Sequence, residues 1–190
     1  MNKHIWMPFW VTGAASLLLC AVTRVPPIAL GQLVLTTLAT AVLPLWGRVS
    51  HRPFPPAVNW LVAGHLLLAS HGGSVLGFYA RIPWWDLLMH TLFGLVAAVV
   101  LLALLRRLGG GGLHPFGVAL FLFLAVMGVG ALWELSEFAA DALFGGDALR
   151  VQAALVAGIH PLRDTVTDLL VTTIGPLLVG IWQMKKPLDE

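Results

Sequence analysis

Trp84-Trp85-Asp86-Leu87-Leu88-Met89-His90-Thr91-Leu92-Phe93-Gly94-Leu95-Val96-Ala97-Ala98-Val99-Val100-Leu101-Leu102-Ala103-Leu104-Leu105-Arg106-Arg107 decides the fold. It is a nearly continuous apolar run closed by two arginines. Its length matches the roughly 20 residues that cross a bilayer core of about 30 Å. Two ionisable residues interrupt it near the start. Asp86 and His90 are four apart, so they share one helix face. Charge inside a membrane span is costly and marks a site.

Working outward, the same pattern occurs twice more. Glu134 and Glu137 interrupt the run from about Pro115 to Leu143, and Asp164 and Asp168 the run from about Pro161 to Met184. Three further runs lie upstream, near residues 5–22, 28–46 and 57–79. Proline and glycine punctuate the joints: Pro26-Pro27, Pro53 to Pro56, Pro83, Gly109 to Gly112, and Gly145-Gly146. The expectation is an all-α, polytopic transmembrane helical bundle of about six spans, forming a single integral membrane domain over 1–190. The segment from Asp147 to His160 reads as a short amphipathic surface helix.

Composition supports this class. Of 190 residues 58% are hydrophobic and 11% charged, where soluble domains carry roughly 25% charged residues. Mean hydropathy is +0.89. A net charge of +2 does not point to nucleic acid. The sole cysteine, Cys20, allows no internal disulfide. Leu19 precedes it where a lipoprotein cleavage site needs a small residue, so the first run reads as an uncleaved span. Loop charge sets the orientation: Lys3, Arg48, Arg52, Arg106, Arg107, Lys185 and Lys186 fall on one face, and Arg24, Arg81, Arg150 and Arg163 on the other. The positive-inside bias predicts both termini in the cytoplasm.

Depth ties the polar pairs together. Asp86 and His90 follow Pro83 by three and seven residues, and Asp164 and Asp168 follow Pro161 by the same offsets. At 1.5 Å per residue they reach roughly 5 and 10 Å below the outer edge. Glu137 and Glu134 approach from the opposite chain direction. All six are expected to converge on one outward-facing cavity, as catalytic residues and as ligands of a divalent metal, with His71 as an added ligand. Carboxylates crowded in a low dielectric need an offset. The offset is a metal, a basic side chain (Arg81 and Arg163 are the candidates at the outer rim), water, or protons. Oxygen-rich ligands suit Mg, Mn, Fe or Zn. Gly72-Gly73 beside His71 would admit a neighbouring helix.

His71-Gly72-Gly73, Trp85-Asp86-Leu87-Leu88-Met89-His90, Trp133-Glu134-Leu135-Ser136-Glu137-Phe138 and Arg163-Asp164-Thr165-Val166-Thr167-Asp168-Leu169 with Gly175 together resemble the YjdF-like bacterial inner-membrane proteins, a domain of unknown function. A fainter likeness, to VanZ-like membrane proteins, fails at the Glu134–Glu137 helix. Neither supplies a reaction. Three functions fit the residues. The first is a metal-dependent enzyme on a lipid or lipid-linked envelope substrate, with His90 or a carboxylate as acid/base. No serine or cysteine nucleophile motif accompanies these residues. The second is a cation- or proton-coupled transporter, although no acidic pair marks the inner half. The third is a structural accessory of a membrane complex.

Overall fold

A computed structural model of the protein describes residues 3–25, 27–109 and 112–185. Pro26, Gly110, Gly111 and Lys186, which the sequence assigns to joints and to the cytoplasmic face, lie outside them. The described residues contain helices and no strand. Among them, five helices are long and apolar enough to cross a membrane: His4–Val22, Ala29–Val49, Trp85–Arg107, Pro115–Phe144 and Arg163–Met184. The span expected over 57–79 is helical in two pieces, an α-helix followed by a π-helix. The chain divides into two compact units, Met1–Met89 and His90–Glu190.

The first unit contains a 3-10 turn at Lys3–Trp6, α1 (Met7–Val22), α2 (Pro27–Ala39), α3 (Val42–Val49), α4 (Pro56–Leu66), a π-helical segment (Leu67–Val75) and α5 (Phe78–Arg81). α1 packs on α2 and on α4, and α2 packs on the π-helical segment. Leu33, Ala63 and Thr12 are buried between these helices. The π-helix is visible in its last bond, where the Leu76 amide donates to the His71 carbonyl five residues back, at 2.9 Å. Gly72, Gly73 and Ser74 are weak α-formers, which lowers the cost of widening the turn. The glycines admit rings: a Cβ on Gly73 would overlap Tyr79, and one on Gly72 would press on Phe78 and Trp85.

α6 (Trp85–Arg107) begins in the first unit and continues through the second. The second unit adds α7 (Pro115–Phe144), α8 (Val151–Val156), α9 (Arg163–Thr172) and α10 (Ile174–Met184). Its core is a set of helix-spaced stripes. On α7 the buried residues are Val118, Leu122, Val126, Gly130 and Glu134. They recur every four positions, so Glu134 is the polar end of an otherwise apolar face. Ala98 and Leu102 of α6 and Val179 of α10 complete the same core. The opposite face of α7 exposes Leu120, Phe121, Leu124, Leu132 and Leu135. So much exposed apolar surface is a liability in water and a match for lipid tails.

α9 and α10 are one membrane-length helix with a break at Thr173. Pro176 has no N–H to give the Thr172 carbonyl one turn back. Thr173 bonds the carbonyl three back instead, Leu170 at 3.1 Å. The same device, Thr40 with Pro44, separates α2 from α3, where Ala41 donates to Leu38 at 3.0 Å.

Candidate functional site

Three of the predicted site residues meet inside the second unit. His90 of α6, Glu134 of α7 and Asp168 of α9 each offer one donor atom, and these atoms all lie within 4.8 Å of one another. His90 Nε2 is 4.0 Å from Glu134 Oε1 and 4.0 Å from Asp168 Oδ2. That is too long for direct hydrogen bonds. It suits ion pairs, or a water or cation lying between them. The three residues are 9%, 7% and 3% exposed, respectively. Carboxylates this buried carry a large desolvation penalty, so close positive partners are required.

The layer beside the cluster explains how three helices come so close. Gly94 lies one turn after His90, Gly130 one turn before Glu134, and Thr172 one turn after Asp168. A Cβ on Gly94 would overlap the Thr172 carbonyl oxygen, and a Cβ on Gly175 would overlap the backbone of Gly94 and Leu95. The carbonyl released by Pro176 is thus the group that packs on Gly94. Thr172 Oγ1 donates to the His90 carbonyl at 3.4 Å. Gly130 leaves room for the Leu169 and Thr172 side chains at 3.5 Å. At the far end of the same helices, Arg106 donates to Gln183 Oε1 at 3.1 Å. Both ends show that α6 runs parallel to α9 and α10.

Of the other predicted residues, Asp164, one turn before Asp168, has a carboxylate oxygen within 4.8 Å of one of those of Asp168. Glu137 is half-buried and accepts from the Trp133 indole of its own helix at 3.0 Å. Asp164 is 3.9 Å from Arg150 Nε. Asp86 is half-buried in the first turn of α6, within the first unit. His71 belongs to the first unit, where its Nε2 lies 3.0 Å from Ser16 Oγ.

Sequence reasoning missed Arg150, naming Arg81 and Arg163 as counter-ions. It also missed Ser16 and the small residues one turn from each cluster member. That last spacing is a readable signal. Arg150 gave none, because it reaches Asp164 from a left-handed backbone position at φ 54° before α8. Asp141 and Asp147 build the intervening loop. Asp141 accepts from the amides of Ala148 and Leu149, and Asp147 from those of Gln152 and Ala153.

A family described as "Predicted membrane protein (DUF2238)" matches residues 6–186. The chain belongs to that family. A DUF2238 assignment agrees with the apolar helices and with an undefined activity. An uncharacterised protein of Thermotoga maritima is 25% identical over 131 residues, 69% of this chain. The match spans 64% of that relative's length. No solved structure matches. The fainter VanZ-like resemblance gains no support from these matches.

Proposed function

We propose that this DUF2238 member is a YjdF-like protein of the bacterial inner membrane with both termini cytoplasmic. In this reading His90, Glu134 and Asp168 hold a divalent metal and act on a lipid or lipid-linked envelope substrate. The observation that carries it is the meeting of one imidazole and two carboxylates from three helices within 4.8 Å. Metal–ligand bonds of about 2.0–2.2 Å fit nitrogen and oxygen donors grouped at that spacing. A bound metal would polarise the substrate or lower the pKa of a water. The chain's own groups do the rest. The carboxylates flank the imidazole of His90, and all three, deprotonated, turn their lone pairs toward the place the metal would occupy. Asp86, Glu137 and Asp164 each stand one turn from a cluster residue on their own helix.

Fully buried Ala98, Val118, Leu122 and Val126 occupy the stripes towards the Arg106 end. A cation path would find no polar step there, which favours a closed site over a transporter. The deciding experiment is elemental mass spectrometry of the protein purified in lipid nanodiscs. Bound metal that survives Glu137→Gln and disappears in Glu134→Gln and Asp168→Asn is the expected result. Wild-type protein that takes up none of Mg, Mn, Fe or Zn ends the metal reading. Mass spectrometry of lipids incubated with the loaded protein then identifies the substrate class.

A further inference from the structure

The first unit contains a chain of hydrogen bonds whose proton count has one solution. Thr37 Oγ1 donates to the Leu33 carbonyl at 2.9 Å, a bond in which the carbonyl only accepts. A threonine has one hydroxyl proton, so Thr37 accepts from Ser16 Oγ, 3.1 Å away. Ser16 has then used its own proton. It accepts from His71 Nε2, at 3.0 Å. The imidazole proton therefore sits on Nε2 and the lone pair on Nδ1. His71 is 6% exposed, and its Nδ1 is buried with no hydrogen-bond partner among the described residues.

We infer that Ser16 and Thr37 are positioning residues that hold His71 in the Nε2–H tautomer, and that Nδ1 is the acceptor of a binding site for an O–H donor, either water or a lipid hydroxyl. The same logic governs histidines whose second nitrogen is anchored so that the first can work. It also excludes a serine nucleophile at this place, because Ser16 gives its proton to Thr37 and not to the imidazole. The π-helical segment carries His71, and such segments recur at functional sites. Ser70 Oγ and Trp85 Nε1, buried and without hydrogen-bond partners among the described residues, lie in the same unit. A buried acceptor left bare is costly, so an occupant of Nδ1 is the economical state.

The test is nitrogen NMR of ¹⁵N-histidine-labelled full-length protein in nanodiscs. The His71 signals are assigned by their loss in His71→Gln. A protonated Nε2 with a hydrogen-bonded, unprotonated Nδ1 is expected. Phosphatidylcholine lacks a lipid hydroxyl, so a bonded Nδ1 in that bilayer identifies water. Bonding seen only with phosphatidylglycerol identifies the lipid hydroxyl. Thr37→Val should release Ser16 and give a mixture of tautomers, a change that a packing role alone would not produce. A proton found on Nδ1 in the wild-type protein, or a bare Nδ1 in both bilayers, overturns the inference. Labelling of Ser16 by a fluorophosphonate would overturn it too.

Discussion

The two units use the same backbone device for opposite ends. Each contains a threonine four residues before a proline, and each helix breaks there: Thr40 with Pro44 in the first, Thr172 with Pro176 in the second. In the first unit Thr40 turns inward on its own helix, donating to the Thr37 carbonyl at 2.7 Å. The polar groups nearby are neutral hydroxyls and one imidazole. In the second unit the released Thr172 carbonyl packs on Gly94 of a different helix. The polar groups there are an imidazole and two carboxylates. Neutral groups are satisfied by hydrogen bonds relayed over ordinary side-chain lengths, from Thr37 of α2 through Ser16 of α1 to His71 of the π-helical segment. Charged groups need several helices close together, and that closeness requires glycine.

Seven substitutions, in four tests, break or sharpen this contrast. The largest effect is expected at Gly175→Ala, whose new Cβ would overlap the backbone of α6. Overpacking against backbone should cost about 3 kcal/mol, read as a lower thermal midpoint in detergent. Gly130→Ala, where 3.5 Å is already available, should change little. Equal midpoints for the two variants would refute the close-contact account. Next, Glu134→Gln should lower turnover roughly 100-fold, while Glu137→Gln, whose carboxylate bonds an indole on its own helix, should lose much less. The lipid assay would count against the cluster if both variants behaved alike. Third, Gln183→Leu removes the acceptor of Arg106 within a fully buried position. A loss of about 1.5 kcal/mol follows, and Gln183→Glu should retain more stability. Smallest is Ser16→Ala in the first unit, at about 0.6 kcal/mol, the average for an interhelical bond in a membrane. A loss several times larger would show that the hydroxyl chain holds the unit together.

Much of the fold was legible because the chain must satisfy its backbone in lipid, and apolar length then dictates helices. The expected span over 57–79 was legible as a helix but not as a π-helix. That widening depends on Tyr79, Phe78 and Trp85 filling the space above Gly72 and Gly73. The site was half legible. Spacing identified the faces of His90, Glu134 and Asp168. It treated both members of each pair alike, although Glu134 joins His90 and Asp168 while Glu137 bonds the Trp133 indole of its own helix. Asp164 and Asp168 do lie together, with carboxylate oxygens within 4.8 Å of one another. A helix turn rotates a side chain by an amount too small to register in spacing, yet large enough to exchange a buried neighbour for a rim one. The partner of Asp164, Arg150, comes from a loop whose path no periodicity describes.

Apolar run length, proline and glycine placement, and four-residue spacing by themselves determined that this is a multi-helix membrane protein with polar faces on particular helices. Those are local properties, set by one residue's relation to its chain neighbours. Only the tertiary structure decided which polar faces meet. It grouped His90, Glu134 and Asp168 and gave His71 to Ser16. The physical reason is that contact between helices depends on small residues at their crossings and on carbonyls freed by proline, and each acts only on a neighbour distant in sequence.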